Sequence, residues 1–140
     1  MAKGKYVEHL TKVPMFEACS RKELQLIGRL AEDVKVKEGR ELVREGSAGR
    51  EFFVIVDGKA NVSRNGRKVA TLGPGNYFGE LALLGNAPRN ATVEAASDME
   101  VVVLGQREFL GLLNQVPALS IKVLKGMAGR LRDADEKSIQ

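Results

Sequence analysis

The chain has 140 residues, enough for one domain around one hydrophobic core. Hydrophobic residues make up 44% and charged residues 29%, which excludes a disordered chain, and no apolar run approaches the ~20 residues of a membrane span. The net charge of +4 comes from 22 basic and 18 acidic residues interleaved along the whole chain, so it reads as a solvated surface rather than a nucleic-acid-binding block.

The N-terminal stretch "MAKGKYVEHLTKV" lacks the apolar centre of a signal peptide, and a cytoplasmic location is the expectation. A short helical piece is predicted around Val7, Leu10 and Val13, ended by Pro14, with Met15 and Phe16 as plugs to the core. His9, the only histidine, lies near the chain end, where a Ser-His-Asp or Cys-His catalytic set is improbable. Cys19 is the only cysteine, so neither an intramolecular disulfide nor a cysteine zinc cluster can form. In "SRKELQLIGRLAEDV", Ser20 and Glu23 make a capping box, and Leu24, Ile27, Leu30 and Ala31 recur at helical spacing.

Residues 34–104 read as short strands. "VKVKE" and "ELVRE" alternate, "EFFVIVDG" is a more continuous apolar run, and "ATVEA" and "DMEVVVL" supply two later strands. Asn65-Gly66 sits between two alternating segments, the strongest short hairpin signal available. Gly39, Gly46, Gly49, Gly58, Gly73 and Gly75 are the expected turn positions. The expected architecture is mainly β with flanking α, an eight-stranded jelly-roll barrel. Helix returns in "QREFLGLLNQV" and again from Pro117. There Leu119, Val123, Met127 and Leu131 follow an i, i+4 stripe, with Lys122, Lys125, Arg130 and Arg132 off it. One domain is expected over 1–140: N-terminal helices over 1–33, the barrel over 34–104 and C-terminal helices over 105–140.

Residues 78–85, "FGELALLG", break the strand pattern and predict one or two helical turns inside the sheet region. A helix start offers unpaired N–H groups and a positive dipole end to an anion. Gly79 and Ala82 are small enough to let a ligand reach that backbone, and Arg89 can pair with a phosphate in bidentate fashion. Glu80 repels a bare phosphate but accepts a hydrogen bond from a ribose hydroxyl. The simpler reading is that Glu80 and Arg89 pair with each other across a turn, stabilising it by ~0–1 kcal/mol. Their surroundings favour a sugar-phosphate.

"FGELALL", a short spacer and "PRNATV" resemble the phosphate-binding cassette of the cyclic nucleotide-binding domains, here residues 78–93. "REGSAGREFFVIVDGKANV" and "DMEVVVLGQREFLGLL" resemble further parts of that family, so the likeness spans roughly residues 13–135. The resemblance implies that Arg89 holds the exocyclic phosphate and Glu80 the ribose 2′-OH. Gly79, Leu81 and Ala82 would line the site or donate N–H groups, Asn90 and Ala91 would do so after the arginine, and Val69 would touch the base.

Family members that prefer cyclic AMP often carry alanine or serine after the arginine, and those that prefer cyclic GMP often carry threonine. Here Asn90 can donate or accept, to the base or to the phosphate alone. Cyclic AMP is the favoured ligand, with cyclic GMP the other candidate and neither a metal nor a further cofactor implied. The resemblance implies a regulatory module whose helices 106–115 and 117–134 move on binding, acting on an effector protein rather than on nucleic acid or membrane. The terminal stripe can cap the base, form a homodimer seam or pack on the barrel of a monomer. The alternatives are a docking scaffold with an unused pocket, or a transcriptional regulator lacking its DNA reader. An enzyme is the least expected class, since the site has no general base apart from Glu80.

Overall fold

The computed structural model describes residues 6–139, with the side chains of 6, 130 and 133–139 left undescribed. Arg130 therefore cannot be placed relative to the C-terminal stripe. The chain divides into two compact units: a helical unit of residues 1–30 and 109–140, and a β unit of residues 31–108.

In the helical unit, α1 covers Tyr6–Leu10, a 3-10 turn Pro14–Phe16 and α2 Arg21–Gly28. Pro14 starts this turn, where its missing N–H costs nothing, instead of only ending α1. Met15 and Phe16 are buried as expected. The capping box at α2 is complete: Glu23 N–H donates to Ser20 Oγ at 3.2 Å, and Ser20 N–H donates to Glu23 Oε1 at 2.7 Å. Glu23 also pairs with Lys122 at 2.7 Å. The Lys122 hydrogen bond, and then the Ser20 N–H, hold its carboxyl below the ordinary value. Burial pushes the nearby Cys19 thiol up to about 11, with the Glu23 charge adding to the effect.

Helix α3 spans Gln106–Gln115 and α4 Pro117–Ile139. Phe16 meets Phe109 edge-on with centroids 5.9 Å apart. The 3-10 turn docks on α4 at Gly126, where a Cβ would overlap Met15 O and lie 2.6 Å from Pro14 O. Of the predicted stripe, Leu119 and Val123 are buried, whereas Leu131 is 67% exposed. Ile121 and Leu124, off that stripe, are exposed as well.

The β unit begins earlier than its alternation suggests, at β1 Glu32–Val36, followed by β2 Glu41–Val43, β3 Glu51–Asp57 and β4 Ala60–Arg64. β5 Arg67–Leu72, β6 Tyr77–Phe78, β7 Thr92–Ala95 and β8 Met99–Gly105 complete it. The strands form two four-stranded antiparallel sheets, β1-β8-β3-β6 and β2-β7-β4-β5. Among the described residues no strand pair joins one sheet to the other.

Phe53, Ile55 and Val101 from the first sheet pack with Ala60, Val93 and Ala95 from the second. Side-chain alternation thus fills one layer between them. Asn65 and Gly66 join β4 to β5 with φ of 54° and 79°. These left-handed values are those of the hairpin turn that Asn-Gly favours. β6 leads into the cassette and is pinned to β3 by two ring pairs. Phe53 stacks on Phe78 at 4.8 Å, and Phe52 meets Tyr77 edge-on at 5.9 Å. Such pairs contribute ~0.5–1.5 kcal/mol each beyond their burial.

Candidate functional site

The cassette opens at Gly79, whose φ of +83° turns the chain out of β6. A side chain is disfavoured there on conformational grounds alone. A single 3-10 turn follows over Glu80–Leu83, closed by Ala82 N–H to Gly79 O at 3.0 Å and Leu84 N–H to Leu81 O at 3.1 Å. This is narrower than the helical span predicted over 78–85. Five residues between Gly79 and Gly85 leave room for one tight turn, and Pro88 disfavours a helical residue before it. Glu80, Ala82 and Leu83 are buried, while Leu81 is 52% exposed.

Arg89 is fixed through both its backbone and its side chain. Gly46 N–H donates to Arg89 O, and Arg89 N–H to Ser47 O, each at 2.8 Å. The chain reversal around the Ala48–Pro88 bridge therefore clamps the arginine. Its Nη2 donates to Glu51 O at 2.8 Å. The guanidinium lies between two glycines. A Cβ on Gly49 would overlap its Nε and Cζ, and one on Gly79 would come within 2.5 Å of its Nη1.

Arg89 and Glu80 do not pair; among the described residues no carboxylate lies within ion-pair distance of Arg89. Burial lowers the tendency of the guanidinium to hold its proton, against a smaller pull the other way from the Glu51 charge. A cleft of about 340 Å³ along β2 and the β2–β3 loop is lined by Arg89, Glu51, Gly49, Ser47 and Arg44. A guanidinium has five N–H donors, so a single bond to one carbonyl leaves a fork open for a bidentate anion.

Beyond Arg89, Asn90 is exposed and Ala91 buried. Arg64 Nε donates to Asn90 O at 2.9 Å, and Glu45 N–H to Thr92 Oγ1 at 3.0 Å. Glu45 Oε1 in turn accepts Asn65 N–H at 3.0 Å, which ties the hairpin tip to the same junction. Val69 stands apart from this group. It occupies a register shift on β5, which among the described residues pairs only with β4, and is 54% exposed.

The cassette is also held from the first residue of α3. Gln106 Nε2 donates to Ala82 O at 2.8 Å, Gly85 O at 3.1 Å and Asn86 Oδ1 at 3.2 Å. Sequence reading missed Gly49, Glu51, Arg64 and Gln106. Glu51 acts through its carbonyl, which every residue has, so no residue-type signal could reveal it. Gly49 was read as a turn residue, yet it serves as a flat wall for Arg89.

A model of the "Cyclic nucleotide-binding domain" family matches residues 33–116, more than half of the chain and including the cassette. The chain belongs to the cyclic nucleotide-binding domain family. A cAMP-dependent protein kinase regulatory subunit of Mycosarcoma maydis is 38% identical over 123 residues, covering 81% of this chain and 23% of that protein. The chain thus spans about a quarter of the curated relatives it matches. Among solved structures, the N-terminal domain of a Streptomyces coelicolor transcriptional regulator aligns with a TM-score of 0.84 at 27% identity. That alignment covers 91% of this chain and 95% of the other. The regulatory domain of Toxoplasma gondii PKA, solved with cAMP, aligns at TM-score 0.72 and 33% identity over 79% of this chain and 44% of the other. Like its relatives, this cyclic nucleotide-binding domain is mainly β with flanking helices. No helix among the described residues is long and apolar enough to cross a membrane.

Proposed function

We propose that this domain is a cyclic AMP sensor in which Arg89 binds the exocyclic phosphate and Glu80 the ribose 2′-OH. The observation that carries the reading is the state of Arg89: half buried, bonded to one carbonyl, walled by Gly49 and Gly79, and without a carboxylate partner among the described residues. A guanidinium in such a place attracts an anion strongly, because its desolvation is already incurred in the folded protein. Glu80 directly follows one of the two glycines that wall the guanidinium. Its buried carboxylate suits a hydroxyl donor rather than a second anion.

Gly79, Leu81 and Ala82 form the turn that lines the sugar and phosphate, and Asn90 and Ala91 supply N–H groups beyond the arginine. Val69 contributes to the base side. The absence of threonine after Arg89 favours cyclic AMP over cyclic GMP. The likeness to the regulatory domain of Toxoplasma gondii PKA, solved with cAMP, supports this reading.

The output is a change in α3 and α4 that an effector protein or a second copy reads. Ile121, Leu124 and Leu131 offer α4 an exposed apolar face for it. The chemistry is binding rather than catalysis, and a cytoplasmic setting suits it. A second reading, the sensor half of a transcriptional regulator, is favoured by the near-complete overlap with such a regulator's N-terminal domain. Calorimetric titration of the wild-type chain and of Arg89→Ala with cyclic AMP and cyclic GMP tests the assignment. Binding that survives Arg89→Ala unchanged contradicts it.

A further inference from the structure

We infer that Gln106 is the positioning residue that couples the cassette to α3, an inference that rests on the sensor reading above. Its side-chain amide has two N–H protons and faces three acceptors: Ala82 O, Gly85 O and Asn86 Oδ1, at 2.8, 3.1 and 3.2 Å. The bonds are therefore shared, and a small displacement of the cassette redistributes them. Two of the acceptors are carbonyls at the far end of the 3-10 turn, where a short helix has no donors of its own.

The backbone of the same residue is bonded next to the carbonyl that holds the arginine. Gln106 N–H donates to Arg50 O at 2.8 Å, and the next carbonyl along, Glu51 O, accepts from Arg89 Nη2 at 2.8 Å. Gly105, just before Gln106, is the register partner of Glu51 in the β3–β8 ladder. Gln106 is also the first residue of α3. One residue thus touches the cassette turn with its side chain, sits one peptide from the carbonyl that holds the phosphate arm, and starts the helix leaving the β unit. Apolar packing transmits displacement without regard to direction, whereas an amide bonded to particular carbonyls transmits it only while those bonds hold.

Amide hydrogen exchange on the 140-residue chain, with and without cyclic AMP, in wild type, Gln106→Ala and Gln106→Glu, tests the inference. Glutamate keeps the shape of glutamine but replaces the donor with a carboxylate facing three acceptors. Circular dichroism melts establish that each variant folds. Without ligand, both variants should exchange the amides of residues 82–87 faster by about three- to tenfold, the effect of losing one to two hydrogen bonds. With cyclic AMP, the amides of residues 89–91 should still be protected in both variants, while the ligand-induced change in residues 106–115 falls below half of the wild-type change.

An α3 response of wild-type size in both variants overturns the coupling role, as does unchanged cassette exchange without ligand. Absence of any cyclic AMP effect in wild type overturns the sensor reading itself and the coupling with it. That result is distinguishable because it appears before any substitution is made.

Discussion

A half-buried guanidinium bonded to one backbone carbonyl has more donors than its surroundings use. Arg89→Ala should therefore leave the fold intact while weakening cyclic AMP binding by on the order of 2–5 kcal/mol, read by calorimetry. Arg89→Lys should recover only part of that loss, because an ammonium replaces the fork with a point charge. Gly49→Ala probes the same site without touching a charge. Its methyl would occupy the place of Arg89 Nε, so the guanidinium must move or the loop must yield. The expected result is weaker cyclic AMP binding by calorimetry, because the displaced guanidinium no longer presents its fork, with stability lower by at most the ~1–3 kcal/mol that an overpacked contact costs. Wild-type affinity in Gly49→Ala would show that the wall around Arg89 has no bearing on binding. Glu80 and Arg89 stand out in the sequence by residue type, because the proposed phosphate and hydroxyl recognition needs particular chemical groups. Gly49 and the Glu51 carbonyl were not, since steric room and backbone acceptors leave no residue-type signature.

Glycines in the two C-terminal helices make a paired test at the scale of the elements. On α3, nothing lies within 4 Å of a Cβ on Gly111, so Gly111→Ala should stabilise by up to about 1 kcal/mol. On α4, a Cβ on Gly126 meets the carbonyls of Met15 and Pro14, so Gly126→Ala should destabilise by about 1–3 kcal/mol in urea melts despite its better helix propensity. Both substitutions look alike in sequence, and opposite signs would show that packing against the 3-10 turn decides α4.

The Ser20–Glu23 box adds a pH signature. The carboxyl of Glu23 is held below its ordinary value of 4.5, so its contribution is complete above that pH and is lost as pH falls through the lower folded-state value. The difference in melting temperature between wild type and Glu23→Gln should be full near neutrality and shrink below about pH 4. A difference that stays constant with pH would contradict the ion pair with Lys122.

Local signals read correctly at this scale: the capping box, the Asn65-Gly66 hairpin and the two-residue periodicity of the strands. The C-terminal stripe was only half legible. Leu119 and Val123 are buried but Leu131 is not, because periodicity marks one face of a helix without saying how far along it the covering surface extends.

For the whole molecule, family membership rests on residues 33–116, while the chain spans only about a quarter of the length of the curated relatives. What the proposed sensor would control depends on its effector, and its ligand is the claim on which the rest of the proposal depends. Mixed composition and interleaved charge argued against broad classes of function, and the cassette alone pointed to the family. Strand pairing between distant segments, such as β1 with β8, had no signature in a single sequence. Titration of the purified chain with cyclic AMP and cyclic GMP, side by side with Arg89→Ala, tests the central claim most directly. The expected result is saturable binding of cyclic AMP, weaker binding of cyclic GMP, and severe loss of both in Arg89→Ala. No heat with either nucleotide at high micromolar concentration, or equal affinity in Arg89→Ala, would contradict it.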